Sequence, residues 1–470
     1  MDMNAFIEEL KERRDLREIV YHRVIPAREA VYGQTAKPLR PEVAGALEAL
    51  GVKRLYNHQA RGIDLVRDGR NLVVMTPTAS GKSLVYNIPV VEAMLDDPQA
   101  RALYLFPLKG LEQDQLKAFK GLAKRLPLEA CEAREGGSRG RRRAFTPGHA
   151  EIYDGDTTAY RRKKIRDSPP SVVLTNPDML HLAINPFHQK WEHFFRNLRY
   201  VIIDEVHTYR GVFGSHVANV LRRLRRIAQL YGSDPVFIAC SATIANPAEL
   251  AGMLTGLDFE LIDESGAPAG KRNFVFLNPS PGTSPNTIAT KAFISSIRAG
   301  FKTIAFTRAR KMTELIHTWV KEGAPDVARN VSSYRAGFLP GERREIERKL
   351  FSGELSGVIS TSALELGVDI GGLDVCVLAG YPGTISSTWQ RSGRAGRSGR
   401  DSLIVMVAQP DALDQYFMHN PEDFFRRTAE AAVLDNENHP ILKAHLMCAV
   451  AEAAMKESDG VYDVARLAPV

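Results

Sequence analysis

Thr76-Pro-Thr-Ala-Ser-Gly-Lys-Ser83 follows the apolar run Leu72-Val-Val-Met75 and precedes the mixed run Leu84 to Leu95. A run of strand length, a turn-forming Pro, and Gly-Lys-Ser opening a helix-compatible segment make the strand, loop, helix arrangement that cradles phosphate. Loop N–H groups of Thr76, Thr78, Ala79, Ser80 and Gly81 and the helix N-terminus are expected to face an anion. Lys82 is expected to reach the terminal phosphates, and the Ser83 hydroxyl to ligate Mg²⁺. Thr76 stands where a general phosphate loop has Gly, and the alternative reading is a plain turn between strand and helix.

Strand-like runs alternate with helix-like ones on either side: Leu72 to Met75, Ala102 to Phe106, Ser171 to Thr175, Tyr200 to Ile203 and Val236 to Ala239. Composition breaks at Glu264-Ser-Gly-Ala-Pro-Ala-Gly270, and a second series follows: Phe274 to Leu277, Thr303 to Phe306, Val358 to Ser360, Val375 to Leu378 and Leu403 to Val407. Such alternation predicts an α/β fold, with parallel sheets covered by helices on both faces and ligands at the carboxyl ends of the strands. The expected division is a helical N-terminal extension over 1–50, an α/β domain over 51–263, a second over 271–410, and a short helical segment over 411–470. Only the first domain carries a phosphate loop, so a nucleotide held between the two is expected.

The 470 residues, 44% hydrophobic and 25% charged, are those of an ordinary globular chain, and the net charge of +7 points weakly to a polyanionic partner. Cys131, Cys240, Cys376 and Cys448 lie far apart, which excludes a Cys-x-x-Cys motif and suits a reducing compartment. No apolar run is long enough to span a bilayer and the N-terminus lacks a basic lead into an apolar segment. A cytoplasmic protein without a membrane partner is expected.

Tyr200-Val-Ile-Ile-Asp-Glu-Val-His207 sets two carboxylates at the end of an apolar strand, where alternation predicts that Asp204 and Glu205 part to different sides. Asp204 would then hold Mg²⁺ and Glu205 would orient or deprotonate the water that attacks a γ-phosphate. The alternative is a solvated acidic strand end. Ser241-Ala-Thr243 ends another strand and is uninformative by itself. Gln390-Arg-Ser-Gly-Arg-Ala-Gly-Arg-Ser-Gly-Arg400 puts Arg at every third position, which predicts neighbouring guanidinium groups on a helical turn. Arg394 and Arg397 are candidate arginine fingers, and a loop that binds nucleic acid nonspecifically is the alternative.

Together these residues resemble superfamily 2 helicases of the DExH type, with the box spelled Asp204-Glu-Val-His207. The resemblance runs in order through Gln59, the phosphate loop, Phe106-Pro-Leu-Lys109, Thr175-Asn-Pro-Asp178, the box, Ser241-Ala-Thr243, Ser360-Thr-Ser-Ala-Leu-Glu-Leu-Gly-Val-Asp-Ile370 and the arginine segment. Tyr334-Arg-Ala-Gly-Phe338, Leu364 to Asp369 and His439-Pro-Ile-Leu-Lys-Ala-His445 are similar to the bacterial mitomycin repair factor A type, relatives of RecQ-like DNA helicases. That group typically continues into a domain with a four-cysteine metal cluster, which is not among these residues, so a fragment is one reading.

The resemblance implies two tandem RecA-like domains that hydrolyse ATP with Mg²⁺ and step along single-stranded or tailed duplex DNA, 3′ to 5′ and in repair. An RNA helicase or duplex translocase with the same motor is the alternative, and a nucleotide-gated binding module is a third. It also implies that Gln59 reads the adenine edge, Tyr56 packs near the base, and Asp369 contacts the ribose or the arginines. His207 and Gln390 would couple nucleotide state to closure. Phe106, Pro107, Lys109, Thr175, Asn176, Thr307, Arg308, Ser360 and Thr361 would line the nucleic-acid track. Outside the motifs, Arg161-Arg-Lys-Lys-Ile-Arg166 and Gly140-Arg-Arg-Arg143 read as solvated loops. Leu221-Arg-Arg-Leu-Arg-Arg-Ile227 reads as an amphipathic helix with a solvent face.

Overall fold

The computed structural model describes residues 2–13, 16, 19–126, 149–335, 337–366, 370–456 and 459–462. Asp369, Cys131 and the Gly140-Arg-Arg-Arg143 stretch lie outside them. The chain divides into two compact units. The first lobe comprises Tyr32–Thr76, Gly81–Gly266 and Ala431–Val470, and the second Met1–Val31, Pro77–Ser80 and Ala267–Glu430.

In chain order the strands are β1 (Ile19–Ile25), β2 (Tyr32–Gly33), β3 (Leu55–Tyr56), β4 (Leu72–Met75), β5 (Arg101–Leu105), β6 (Ala150–Ile152), β7 (Val172–Thr175) and β8 (Leu198–Ile203). They continue with β9 (Val236–Ser241), β10 (Glu260–Ile262), β11 (Arg272–Leu277), β12 (Thr303–Phe306), β13 (Val331–Tyr334), β14 (Gly357–Ser360), β15 (Val375–Ala379) and β16 (Ser402–Val407). The first lobe's sheet runs β10-β4-β9-β8-β5-β7-β6, and every neighbouring pair is parallel. Alternate residues of its strands enter separate cores. Leu72, Val74, Ala102, Tyr104, Val172 and Leu174 pack on one face, and Val73, Leu103, Leu105, Val173, Val201 and Ile203 on the other. Burial on both faces is why these strands are continuous apolar runs.

The second lobe's sheet runs β1-β11-β16-β15-β12-β14-β13 and is parallel except for β1, which pairs antiparallel with β11. This corrects the helical extension over 1–50. After the helix Met3–Glu12, the run Ile19-Val-Tyr-His-Arg-Val-Ile25 is an edge strand of the second lobe, because its β-branched and aromatic residues suit a half-covered pleat. Met3, Phe6, Ile7 and Leu10 of the helix enter that lobe's core with Val275, Ile288 and Phe293. Beyond Val31 the chain belongs to the first lobe, with the helix Pro41–Ala49.

The C-terminal residues also divide. Helices Ala412–His419 and Pro421–Arg426 belong to the second lobe, and the helix His439–Glu452 to the first. There it covers the helix Gly211–Leu230, which overturns the solvent face expected for its arginines. Arg223 is 1% exposed and donates from Nε to Glu452 Oε2 at 2.9 Å. Arg226 pairs with Asp459 and donates to the carbonyls of Ala449 (2.6 Å), Ala453 (2.9 Å) and Ala454 (2.8 Å). A guanidinium fork is suited to the free carbonyls at a helix C-terminus. Likewise Arg161-Arg-Lys-Lys-Ile-Arg166 is not a loop but part of the helix Ala159–Asp167, which Thr158 caps by accepting from Arg161 N. Among the described residues no helix is long and apolar enough to cross a membrane.

Candidate functional site

The loop after β4 turns sharply at Ala79 (φ +62°) and Gly81 (φ +78°) before the helix Ser83–Asp96 starts. Gly is needed at the second position: a Cβ on Gly81 would lie 2.5 Å from Gln59 Nε2. That nitrogen donates to Gly81 O at 3.1 Å, and Gln59 Oε1 accepts from Tyr56 N at 2.9 Å, so the amide ties the helix Asn57–Arg67 to the loop. Lys82 Nζ donates to Thr76 O (2.9 Å) at the end of β4 and to Ser241 O (3.0 Å) at the end of β9. Ser80 N donates to Pro77 O at 3.3 Å, so the loop satisfies part of its own donor set. Thr76 and Ser80 are buried, while Thr78 and Ser83 are half-buried.

Asp204 and Glu205 follow β8 in a turn instead of continuing the strand, so alternation does not separate them. Glu205 adopts φ +50°, a left-handed conformation unusual for a side chain with a Cβ, and its N–H donates to Asp204 Oδ1 at 3.0 Å. Burial, and then the neighbouring Glu205 charge, push the Asp204 carboxyl well above the usual carboxylate range, while Lys82 pulls it down. The carboxylate and hydroxyl oxygens of this site are a donor set that fits a hard divalent cation. Ser83 and Asp204 are the residues that would hold one.

His207 Nδ1 accepts from Ala242 N at 3.1 Å, which places the ring proton of the neutral tautomer on Nε2. The approach of Nδ1 to Glu205 Oε2, at 3.5 Å, is therefore contact without a hydrogen bond. His207 thus reads the backbone of Ser241-Ala-Thr243, linking the strand ends of β8 and β9.

The expected nucleic-acid residues of the first lobe divide by burial. Phe106 is a core ring, and Thr175 is buried with its hydroxyl donating to Tyr153 O at 2.6 Å. Pro107 is half-buried. Lys109 and Asn176 carry polar groups nearer the surface: Lys109 Nζ meets Asp156 Oδ1 at 2.6 Å, and Asn176 accepts from Met179 N at 3.0 Å while donating to Glu112 Oε1 at 3.2 Å.

In the second lobe, Thr307 is buried with its hydroxyl against that of Thr313 at 2.8 Å. Arg308 pairs with Asp411 and Asp414 and donates to Tyr381 O at 2.8 Å, so its charge is met within the lobe. Ser360 is buried and Thr361 half-buried. The arginine segment is not one helical face. Its helix, Ile385–Ser392, contains Gln390 and ends before Gly393, and Gly396 and Gly399 (φ +74° and +75°) turn the chain. Arg394, 1% exposed, donates to Glu365 O at 2.7 Å, and Arg391 pairs with the Glu365 carboxylate at 2.9 Å. Arg397 is half-buried in a short 3-10 turn.

Residues 56–250 match the DEAD/DEAH box helicase family model and residues 287–399 the helicase conserved C-terminal domain. The chain belongs to the superfamily 2 helicases. It is 44% identical over 97% of its length to the uncharacterized ATP-dependent helicase YprA of Bacillus subtilis, spanning 59% of that protein. It is 37% identical over 95% of its length to the ATP-dependent helicase HRQ1 of Saccharomyces cerevisiae, spanning 41% of it. A crystal structure of the DUF1998 helicase MrfA bound to DNA and AMPPNP matches with TM-score 0.90 at 42% identity, over 100% of this chain and 64% of that one. The chain therefore spans less than two thirds of each of these relatives. Both lobes of this superfamily 2 chain are RecA-like.

Tyr32, Arg54 and the turn 154–157, near the motifs, escape sequence reasoning. Tyr32 and Tyr56 stack at 5.5 Å, with the Arg54 guanidinium 3.9 Å over Tyr32. The turn Asp154–Thr157 lies beside Lys109, with Asp154 Oδ1 accepting from Thr157 N at 2.9 Å. The sequence signal is there, Tyr153-Asp-Gly-Asp-Thr157, an apolar strand entering an Asp and Gly turn.

Glu112, fully buried behind Asn176, is pushed up to about 7 by burial and then by Asp154. The folded state keeps a proton that the unfolded chain releases near 4.5, so this group's contribution to stability falls as pH rises from there to about 7 and is level above. Glu112→Gln is expected to lack that fall. Urea midpoints at pH 5 and pH 8 check this, and an equal pH dependence in variant and parent counts against it.

Proposed function

We propose that the chain is the motor of an ATP-dependent DNA helicase or translocase that moves along single-stranded DNA. The observation that carries this reading is the first-lobe constellation. Lys82, at the mouth of a left-turning phosphate loop, bonds the ends of β4 and β9, and its charge acts on the buried Asp204 beside Glu205. Phosphoryl transfer to water needs positioned charge and a positioned nucleophile, with no covalent intermediate. Lys82 meets the phosphates, Glu205 orients the water, and His207 fixes the turn against Ser241-Ala-Thr243. Mg²⁺ held by Ser83 and Asp204 would neutralise phosphate charge. Arg394, which donates to Glu365 O, and the half-buried Arg397 are the arginine-finger candidates. Lys109 and Asn176 are the first-lobe contacts to the strand backbone.

DNA as partner, 3′-to-5′ travel, repair as the setting and the cytoplasm as the location follow from the resemblance and from the DNA-bound relative. Phosphate release with and without single-stranded DNA or RNA, followed by strand displacement on 3′-tailed and 5′-tailed duplexes, tests the reading. DNA-stimulated turnover and displacement of 3′-tailed substrates are expected. Turnover that no nucleic acid accelerates would sink it, and preference for RNA or for 5′ tails would replace the substrate or the polarity.

A further inference from the structure

The helix Ala159–Asp167 gives little to the core of the first lobe: Ile165 is buried, and its other residues are exposed or half-buried. Its charge is another matter. Arg161, Arg162, Lys163, Lys164 and Arg166 are five cations against the one carboxylate of Asp167, a formal +4 where the whole chain has +7. Arg161 pairs with Glu151 at 2.6 Å, and Arg162 donates to Gly155 O at 2.9 Å. Among the described residues, the side chains of Lys163, Lys164 and Arg166 meet no acceptor. Arg162 and Arg166 are moreover a like-charged i,i+4 pair, which costs a helix stability when no anion lies across it.

The unpaired lysines have an aromatic companion. Tyr160 is 81% exposed and precedes Lys163 and Lys164 by three and four residues, so the three side chains share a helix face. An exposed ring beside free cations is the combination that holds a single strand, because the ring stacks on a base while the cations meet phosphates. A duplex, whose bases are already stacked, offers the ring nothing.

Both ends of the helix adjoin further cations. In the turn before it, Asp156 bonds Lys109 Nζ, the first-lobe strand contact, and Gly155 O is the acceptor of Arg162. At its other end, Arg166 and Ser168 enter a cavity of about 520 Å³ whose wall also carries Arg101, Lys190 and Arg196. Of the carboxylates there, Glu192 is paired with Arg196 at 2.6 Å, which leaves Asp167 against Arg101, Arg166 and Lys190. Arg101 Nε is buried without a partner, and Nη1 donates to the carbonyls of Pro98 (3.0 Å), Gln99 (2.7 Å) and Ala100 (3.0 Å). Burial lowers the pKa of this guanidinium and the charge of Asp97 works against that, so the cation is desolvated and an anion brought beside it is favoured.

We propose that Tyr160, Lys163, Lys164 and Arg166 form a second single-strand surface on the first lobe, which carries nucleic acid onward from Lys109 along the helix and seats a phosphodiester in the cavity. The inference rests on the motor reading above and lengthens its strand footprint.

Equilibrium binding of fluorescent DNA strands of about 6 and about 20 nucleotides, and of a blunt duplex, to the full chain tests this. Parent is compared with Tyr160→Ala and with the triple variant Lys163→Gln, Lys164→Gln, Arg166→Gln, and Tm checks that these surface changes leave the fold intact. Tyr160→Ala is expected to weaken the long strand about tenfold, leaving its salt dependence unchanged and the short strand and the duplex within about twofold. The triple variant is expected to weaken the long strand at least about tenfold and to lower the slope of log K against log salt by about 2, near 0.7 for each of three phosphates. Long-strand binding equal to the parent's in either variant overturns the surface. So does an equal loss on short and long strands, which is a general charge effect. A rise in Tm with inorganic phosphate that the triple variant loses, with strand binding unchanged, assigns the cavity to a free anion and also overturns it. A parent that binds neither strand refutes the motor reading itself.

Discussion

Lys82→Ala and Glu205→Gln are each expected to lower DNA-stimulated ATP hydrolysis at least about a hundredfold, the scale on which removal of one preorganised charge-stabilising group acts. They should fail differently. Lys82 is a half-buried ammonium bonded to two strand-end carbonyls, Thr76 O and Ser241 O, which water can reach once it is gone. The fold should therefore survive, with nucleotide binding weakened along with turnover. Glu205→Gln keeps the side-chain shape and the left-handed turn but removes the charge that orients water, so nucleotide should still bind and turnover should stop. Phosphate release paired with titration of a fluorescent ATP analogue separates the two. Undiminished turnover in either variant removes that residue from the site.

How far the fold can be read from sequence depends on sheet position. β4, β5, β7, β8 and β9 of the first lobe, and β11, β12, β14, β15 and β16 of the second, are interior strands covered on both faces, and each is a conspicuous apolar run. The strands that escape are the sheet edges. β6 (Ala150-Glu-Ile152) and β10 (Glu260-Leu-Ile262) are three residues long with one Glu each, β13 carries two serines, and β1 has His22 and Arg23 at its centre. An edge strand pairs on one side only and needs no continuous hydrophobicity, so periodicity is silent about it.

The site divides on similar grounds. Lys82, Asp204 and Glu205 stand in a pattern dictated by phosphate chemistry, whereas their backbone turns are decided by tertiary contacts. Asp204 and Glu205 leave the strand at Ile203, and Gly396 and Gly399 break the helical stack expected of the arginines. Arg223 is buried where a solvent face was expected, and Arg308 is ion-paired within its lobe, for one shared reason. A guanidinium is buried or exposed according to what distant chain supplies opposite it, here Glu452 for one and Asp411 with Asp414 for the other.

Glu452→Ala is expected to destabilise the packing of the C-terminal helix by about 3–5 kcal/mol, the cost of leaving one member of a buried ion pair uncompensated. The pair joins Arg223 to Glu452 with side chains 0% and 4% exposed, and Arg223 also donates to His181 Nδ1 at 2.8 Å and His445 Nδ1 at 3.1 Å. Burial, then the Arg223 charge, hold His445 down to about 3, so it is a neutral acceptor and cannot replace the lost carboxylate. Without Glu452 the guanidinium must either stay buried with only neutral acceptors or pull the helix His439–Glu452 away to reach water. The second course exposes Leu442 and Ala449, and hydrogen exchange should show it as lost protection confined to that helix and its partner Gly211–Leu230. The double variant Arg223→Met, Glu452→Leu removes both charges and fills the space. It is expected to recover most of the protection, because two buried charges replaced together leave no desolvated ion behind. Equal loss in the single and double variants would mean that packing at Glu452, and not charge compensation, holds the helix in place.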